Sequence, residues 1–201
     1  MAKRLFDAIG SALALALLSP LLLVIAVIVK LDSRGSVLYR QVRVGRHGVP
    51  FRIHKFRTMR AESIGPPLTV GDDPRITHAG RWLRRTRLDE LPQLLDVLRG
   101  AMSFVGPRPE VPRYVAHYPP LLRERALSVR PGITDPSSLA FVDEAALLAR
   151  AADPEREYID VILPAKLQRA ADYAEHATLA SDLGVLWRTL RVLAGSASRP
   201  A

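Results

Sequence analysis

Two adjacent carboxylates stand among arginines in the middle of the chain, in the segment TRLDELPQLLDVLRG at residues 86–100. Asp89 and Glu90 open an apolar stripe of leucines, a pattern typical of a helix with one buried face. The arginines that precede them are Arg81, Arg84, Arg85 and Arg87. Acids in a first helical turn can simply complement the helix dipole, and Thr86 followed by Asp89 fits a capping box.

The surrounding cations allow a second, chemical interpretation of the same pair. A carboxylate among cations stays charged, can hold Mg²⁺ together with substrate phosphates, and can attack phosphorus to give an acyl phosphate. Arginine neutralises phosphate through paired hydrogen bonds. Arg108 lies between two prolines, so its backbone is rigid, which suits this task. The simpler alternatives are a surface pair of Arg108 with Glu110 and, for Lys55 and Arg57, a solvated hairpin edge.

Length and composition limit the possible partners. The chain has 201 residues, enough for one domain with a real core, and 29 Lys and Arg against 20 acids give a net charge of +9. This balance indicates an anionic partner, which could be nucleic acid, lipid headgroups or a phosphorylated substrate. The sequence contains no cysteine, which excludes disulfides, thiolate metal sites and thiol nucleophiles.

A membrane segment is predicted near the N-terminus. Residues 8–29 carry no charge over 22 positions, and a helix of that length, roughly 33 Å, could cross a bilayer core. A secretory signal peptide is the first alternative, but its apolar core is usually about 7–15 residues long and is followed by a small-residue cleavage site. Because neither feature is found here, we interpret residues 1–31 as a retained membrane segment.

Two features favour a re-entrant segment that enters the membrane and turns back. Pro20 cannot donate to the carbonyl of Ala16, and Ser19 can hydrogen-bond to a carbonyl one turn earlier, so the helix should break there. Basic residues, which favour the cytoplasmic side, flank the apolar run on both sides: Lys3, Arg4, Lys30, Arg34, Arg40, Arg43 and Arg46. A kinked spanning helix is the alternative.

The rest of the sequence predicts an α/β fold that is mostly helical with one small β-hairpin. Near-alternation around GRHG predicts the hairpin at residues 36–56, and residues 62–75 are rich in turn formers. A short helix is expected at 76–86, followed by the helix of the acid pair. The segments SFVGPRPEVP at 103–112 and RPGITDPSSL at 130–139 are predicted to be rigid loops without regular structure.

The C-terminal third is predicted to be helical. Helices are expected on either side of the proline pair at 119–120, at 143–151, and at 155–177 with a bend near Pro164. Residues 179–193 form an amphipathic pattern in which Trp and Arg suit a membrane interface, although packing on the core is the commoner explanation.

A set of motifs in this order resembles one family. The motifs are KRLFD near the start, SP inside the apolar run, KFRTM at 55–59, RLDELPQL at 87–94, MSFVGPRPE at 102–110 and RPGIT at 130–134. Together they are similar to those of the bacterial sugar transferases, the monotopic polyprenol-phosphate phosphoglycosyl transferases, of the small type with a minimal catalytic domain. The likeness covers nearly the whole chain.

The resemblance implies a fold, a reaction and a location. Residues 1–31 would be a re-entrant membrane helix with its break at Ser19 and Pro20, and 32–201 a compact cytoplasmic catalytic domain with interfacial amphipathic helices. The enzyme would transfer a sugar 1-phosphate from a UDP-sugar to polyprenol phosphate, expected to be undecaprenyl phosphate. It would act among membrane lipids at the cytoplasmic face of the bacterial inner membrane, and no nucleic acid would be involved.

The resemblance also implies roles for individual residues. Asp89 would be the nucleophile and the ligand of Mg²⁺, with Glu90 as its catalytic partner. The residues expected to bind phosphate and nucleotide sugar are Lys55, Arg57, Arg84, Arg108 and Thr134. Where many members continue PGITG, this chain reads PGITDPSSL, a departure in the region expected to shape the sugar pocket. The alternative from another class is a non-catalytic, membrane-anchored basic module that binds anionic lipid or nucleic acid.

Overall fold

The computed structural model describes residues 1–60, 73–135 and 144–197. Within these ranges a long N-terminal helix is followed by two small sheets and a series of shorter helices. The helices are α1 Ala2–Asp32, α2 His78–Thr86, α3 Leu94–Arg99, α4 Pro112–Val115, α5 Pro120–Ala126, α6 Glu144–Arg150, α7 Pro154–Glu157, α8 Leu163–His176 and α9 Leu179–Ala197. The strands are β1 Leu38–Val44, β2 Pro50–Phe56, β3 Ser103–Val105 and β4 Gly132–Thr134.

The apolar segment forms a single helix rather than two. Helix α1 runs through Pro20 without a change of secondary structure, so the expected break is not an interruption of the helix. Ser19 Oγ donates to the carbonyl of Ala16 at 2.8 Å, which is the predicted bond one turn back. By length and composition α1 could cross a membrane, and the large side chains at its middle are exposed, among them Leu13, Leu17 and Leu23.

Both ends of α1 pack against the remainder of the chain. Near its C-terminal end, Ile25 and Val29 share a hydrophobic cluster with Phe56 and Leu83. Near its N-terminal end, Arg4 donates to the carbonyls that end helix α3. The helix therefore contacts the globular part of the molecule at two places, with its exposed middle between them.

The predicted hairpin is confirmed. Strands β1 and β2 pair antiparallel with Leu38 opposite Phe56 and Val44 opposite Pro50. The five residues 45–49 connect them through a 3₁₀ turn at Arg46–Gly48, in which His47 and Gly48 both have positive φ. Strand β2 also packs against the segment that carries the acid pair, and so it brings Lys55 to the centre of the molecule.

The two proline-rich segments contain strands that the sequence analysis missed. Strands β3 and β4 pair in parallel, with Ser103 opposite Gly132 and Val105 opposite Thr134. Strands of three residues are too short to show an alternating pattern, and the prolines beside them hide the signal. Gly106 and Gly132 allow the close approach, because a Cβ on either residue would overlap the backbone of the other segment.

The helices after residue 111 follow the predicted pattern. Helices α4 and α5 lie on either side of the proline pair, and a π-helical turn at Tyr158–Ile162 joins α7 to α8. Pro164 follows that π-helical turn directly and lies in the first turn of α8. This region builds its own hydrophobic cluster from Val111, Tyr114, Leu148, Tyr158, Ile162 and Leu163.

Candidate active site

The acid pair lies in a 3₁₀ turn between two helices. Helix α2 ends at Thr86, Arg87 has left-handed backbone angles with φ of 59°, and Leu88–Gln93 form the turn. The hydroxyl of Thr86 donates back to carbonyls in the last turn of α2. The predicted capping box is therefore wrong, and the pair is displaced from the start of helix α3, which begins only at Leu94.

Glu90 is buried and holds two cations. Lys55 Nζ donates to Glu90 Oε1 at 2.7 Å, and Arg108 donates to Oε1 at 2.5 Å and to Oε2 at 3.4 Å. Burial alone would raise the pKa of Glu90, but the charges and hydrogen bonds of Arg108 and Lys55 outweigh it and hold that pKa well below its usual range. Glu90 is therefore fully ionised at neutral pH.

The simpler alternatives for these two cations are wrong. Arg108 does not pair with Glu110, whose carboxylate accepts from the hydroxyl of Tyr158 at 3.0 Å. Lys55 is not on a solvated edge, because only 17% of its side chain is exposed. The side chain of Arg108 is 35% exposed, more than the side chains of Lys55 and Glu90.

Asp89 is buried like Glu90, but its hydrogen bonding and its pKa are different. Its side chain faces the same interior, but no donor in the described part of the chain reaches its Oδ1. Burial, followed by the negative charge of Glu90, raises the pKa of Asp89 to about 6, against the opposing charges of Lys55, Arg84 and Arg108. The pair thus consists of one neutralised carboxylate and one with an unused oxygen.

Arg84 completes the site on the side of Asp89. Helix α2 presents its guanidinium, whose Nε donates to Thr58 Oγ1 at 2.9 Å. Burial lowers the pKa of Arg84, and the charge of Asp89 is the largest effect opposing that change. Three of the predicted cations, Lys55, Arg84 and Arg108, therefore surround the acid pair, each delivered by a different element.

The donor set fits a metal ion that is shared with a substrate. An unused, buried carboxylate oxygen on Asp89 is a suitable ligand for Mg²⁺, which usually takes one or two carboxylates and completes its shell with water and phosphate. The described residues contain no group of three or more potential metal ligands, and Mg²⁺ usually keeps several waters beside one or two carboxylates.

A comparison of the sequence with models of protein families identifies the family of this chain. The model of the family described as bacterial sugar transferase matches residues 1–196. The chain belongs to the bacterial sugar transferase family. The match includes α1, the hairpin, the acid pair and α9, so the elements that form the site all lie within it.

Named proteins of related sequence are similar to large parts of the chain. A UDP-glucose:undecaprenyl-phosphate glucose-1-phosphate transferase of Caulobacter vibrioides is 47% identical over 137 residues, 66% of this chain and 51% of that protein. A UDP-N-acetylgalactosamine-undecaprenyl-phosphate N-acetylgalactosaminephosphotransferase of Aeromonas hydrophila is 35% identical over 203 residues, 98% of this chain and 45% of that protein. The exopolysaccharide production protein PSS of Rhizobium leguminosarum bv. phaseoli is 51% identical over 109 residues, 53% of this chain and 54% of that protein. The chain thus spans about half the length of these relatives.

Two predicted site residues of this sugar transferase lie apart from the acid pair. Arg57 is buried and donates to the carbonyls of Val29 and Ser33, where it ties strand β2 to the end of α1. Its Nε and Nη1 have no partner among the described residues. Thr134 shares a hydrogen bond of 2.9 Å with the hydroxyl of Thr189 on α9. The proposed contact of either residue with phosphate stays a prediction.

The sequence analysis missed a buried acid beside Arg108. Asp135 follows strand β4 directly and is almost fully buried, and its charge is among the influences that raise the pKa of Arg108, after that of Glu90. It stands where many family members carry glycine, and this departure from PGITG was its signal. The remainder of the unusual stretch, residues 136–143, lies outside the described residues.

A buried histidine beside Lys55 was also missed. His54 Nδ1 donates to Asp96 Oδ1 at 2.7 Å and its backbone N–H donates to Oδ2 at 2.9 Å. Arg40 donates to His54 Nε2 at 2.6 Å, and because arginine only donates, the proton of the ring lies on Nδ1. These bonds fix strand β2 against helix α3 and thereby set the position of Lys55. His54 and Asp96 are 42 positions apart in sequence, and no rule of local spacing predicts their contact.

Proposed function

We propose that this sugar transferase moves a sugar 1-phosphate from a UDP-sugar to polyprenol phosphate, expected to be undecaprenyl phosphate. The products are polyprenol diphosphate sugar and UMP, in the first membrane step of surface glycan assembly. The names of the similar enzymes support this assignment. The observation that carries it is the asymmetry of the acid pair, in which Glu90 is neutralised by two cations while Asp89 Oδ1 has no hydrogen-bond partner among the described residues.

The cations supply the binding energy for the diphosphate of the donor. Arg84, Lys55 and Arg108 approach the pair from three elements, so a diphosphate placed among them meets positive charge on several sides. Arg108 makes one long contact of 3.4 Å to Glu90, which it can exchange for a phosphate oxygen. Its planar fork fits two oxygens of one phosphate, as a lysine ammonium cannot.

Asp89 acts as the nucleophile in the first step. Its carboxylate oxygen attacks the phosphorus that bears the sugar, a P–O bond forms, and the bond from that phosphorus to the bridging oxygen breaks. UMP leaves with the electron pair, and the enzyme retains the sugar phosphate as an acyl phosphate. Glu90 keeps Lys55 and Arg108 beside the reacting phosphorus, where they neutralise the charge that shifts to the leaving group.

The acceptor completes the reaction in a second step. An oxygen of the polyprenol phosphate attacks the phosphorus of the acyl phosphate, and the bond to Asp89 breaks. The carboxylate of Asp89 is thereby restored, and both P–O bonds that formed have replaced bonds that broke. Mg²⁺ bound at Asp89 would screen the charges of the two phosphates when donor and enzyme meet.

We propose that α1 is re-entrant and that both of its ends lie on the cytoplasmic side. Basic residues flank both ends, and both ends make hydrogen bonds with the same globular region. A spanning helix would separate these ends by the thickness of the bilayer, roughly 30 Å, and leave one set of partners on the wrong side. The arrangement puts the active site at headgroup depth, where polyprenol phosphate carries its phosphate.

Helix α9 supports the same placement. Its outward side chains Leu183, Trp187 and Leu190 are exposed, and the guanidinium of Arg191 lies 5.1 Å from the ring of Trp187. Such a surface suits the membrane interface. In a Trp82→Phe variant, which keeps Trp187 alone, lipids brominated near the headgroup should quench the fluorescence. Quenching by aqueous acrylamide alone would place α9 in water instead.

The experiment that tests the reaction omits the acceptor. Purified enzyme, Mg²⁺ and a panel of UDP-sugars should release a stoichiometric burst of UMP with the correct donor. The protein should gain the mass of one sugar phosphate on the peptide that contains Asp89. Asp89→Asn should abolish both signals, because an amide is a poor nucleophile and a poor metal ligand.

A matched control and the opposing outcome define the limits of this test. Asp160→Asn removes a carboxylate from an exposed pair with Arg156 and should leave the burst unchanged. If UMP appears only when polyprenol phosphate is present and no adduct can be trapped, transfer is direct and Asp89 is not the nucleophile. If no UDP-sugar yields UMP under any condition, the protein is instead the non-catalytic, membrane-anchored module that binds anionic lipid.

A further inference from the structure

A buried polar cluster joins the first helix, the last helix and the strand that leads to Arg108. Lys3 on α1 forms an ion pair with Asp182 on α9 and donates to the carbonyl of Val105 at 3.0 Å. Tyr173 on α8 has its hydroxyl 2.6 Å from Asp182 Oδ1 and 3.0 Å from the same carbonyl of Val105. Two helices therefore reach the carbonyl that ends strand β3, and Asp182 on the third helix, α9, holds both of their side chains.

The hydrogen bonds in this cluster have one consistent assignment. A tyrosine hydroxyl donates a single proton, and the shorter contact gives that proton to the Asp182 carboxylate. Lys3 has several protons, so it can serve the carbonyl of Val105 and Asp182 together. The side chain of Asp182 is 1% exposed, and a buried carboxylate with a cation and a hydroxyl donor is held in one geometry.

The carbonyl of Val105 lies at the root of the loop that carries Arg108. After Val105 the chain continues through Gly106, whose N–H donates to the carbonyl of Thr134, and Pro107, whose carbonyl accepts from the N–H of Gly132. These bonds leave the loop little freedom beyond its root. A shift of Val105 would therefore be passed on to the guanidinium of Arg108 three residues later.

Helix α9 fixes the partner strand from the same face. Thr189, which bonds to Thr134 on strand β4, stands seven residues after Asp182, two helical turns away on one side of the helix. Thr189 thus holds strand β4 directly, and Asp182 holds strand β3 through Lys3 and Tyr173.

We propose that Asp182 is a positioning residue for Arg108, acting through Lys3, Tyr173 and the carbonyl of Val105. This inference rests on the proposed function, in which Arg108 binds the phosphate of the donor. Loss of the Asp182 charge frees Lys3 and Tyr173 to move, and Val105 loses the fixed donor to its carbonyl. The effect is expected on the reaction rather than on folding alone, because small displacements of a binding group can cost about 100-fold in rate.

The test compares Asp182→Asn with Arg108→Lys and with the double variant, using full-length protein and the UDP-sugar that the wild type accepts. Asp182→Asn should lower kcat/KM for the donor by about 10- to 100-fold. In the double variant the two effects should not multiply, because both act through the same guanidinium. The control Glu175→Gln, which removes an exposed pair with Arg125 on the neighbouring helix, should leave kcat/KM unchanged.

Folding is separated from positioning by a second variant. If Asp182→Asn does not fold, as judged by its melting curve, Tyr173→Phe removes the hydroxyl but keeps the ion pair, and it should show the same lack of additivity with Arg108→Lys. Multiplicative effects of the two substitutions, or an unchanged kcat/KM in a folded variant, would overturn this inference. The proposed function would still stand in that case, provided that the wild-type enzyme turns over the donor. Absence of UMP release from the wild type would overturn both.

Discussion

Two adjacent carboxylates in this sugar transferase share one interior but have opposite electrostatic surroundings. Glu90 holds Lys55 and Arg108, whereas Asp89 has a buried oxygen without a donor in the described residues. The first arrangement contributes to stability and the second costs stability. Proteins accept such a cost where a group is kept ready for chemistry.

Substitution of the two acids should therefore change stability in opposite directions. The folded-state pKa of Asp89, about 6, lies above its unfolded value of 3.8, so its ionisation costs stability as pH rises through that window. At pH 7.5 Asp89→Asn should raise the free energy of unfolding by up to about 3 kcal/mol. Glu90→Gln should lower it by about 3–5 kcal/mol, because two buried cations lose their counter-charge. Urea unfolding in EDTA measures both, and shifts of the same sign would contradict the account.

The same raised pKa predicts a pH dependence of the reaction. In the proposed mechanism only the ionised Asp89 can attack phosphorus, so kcat/KM for the donor should be constant above about pH 6 and fall about tenfold per pH unit below it. Glu90 stays ionised throughout, because its pKa is held well below the usual range. A profile that remains flat down to pH 5 would show that Asp89 ionises normally in the free enzyme.

At the scale of elements, the site depends on close approaches between backbones. Helix α2, which carries Arg84, begins with the hydroxyl of Thr77 accepting from the N–H of Gly80. A Cβ on Gly80 would overlap the carbonyl of Thr58, the residue whose hydroxyl accepts from Arg84. The glycine therefore sets the distance between α2 and the end of strand β2.

Two glycines in helices allow a matched test of this close approach. Gly80→Ala should push α2 away from Thr58, destabilise the protein, and lower kcat/KM through the displaced Arg84. Gly184→Ala is the control, because a Cβ there has no neighbour within 4 Å and alanine favours a helix by about 1 kcal/mol. Melting temperature and kcat/KM should fall together in Gly80→Ala and remain at or above wild type in Gly184→Ala. If the two variants behave alike, the close approach of α2 to Thr58 does not control the site.

The sequence predicted elements with a long or distinctive pattern. The hairpin, α1 and the helices around the proline pair follow from periodicity and turn chemistry, and Lys55, Arg84 and Arg108 do meet at the acid pair. The capping role of Thr86 failed because Arg87 adopts a left-handed conformation that no local pattern announces. Strands β3 and β4 were missed because three residues are too few for a period. Arg57, Asp135 and His54 depend on contacts between distant segments, which a single sequence does not encode in its spacing.

At the scale of the whole molecule, the prediction concerns which side of the membrane each end of α1 occupies. The chain has no cysteine, so Ala2→Cys and Ser36→Cys each introduce a unique thiol at an exposed position. If α1 is re-entrant, an impermeant thiol reagent should label neither variant in intact cells and both after the membrane is opened. Pro20→Leu, which restores an N–H within the helix, should increase outside labelling of one of them. Outside labelling of either thiol without that change would falsify the re-entrant arrangement.

The ion pair between Lys3 and Asp182 has a consequence for biosynthesis. The two residues are 179 positions apart, which at about 5–20 residues per second separates their emergence from the ribosome by roughly 10 to 35 seconds. If α1 enters the membrane as proposed, it would do so during that delay, while Lys3 and Asp7 still lack the partners that they later contact. Hydrated charges resist crossing the bilayer, so in the proposed re-entrant arrangement this delay would favour retention of the flank on the side of synthesis. Helix α9, which is made later than α1, would then fix an orientation that α1 had maintained by charge alone.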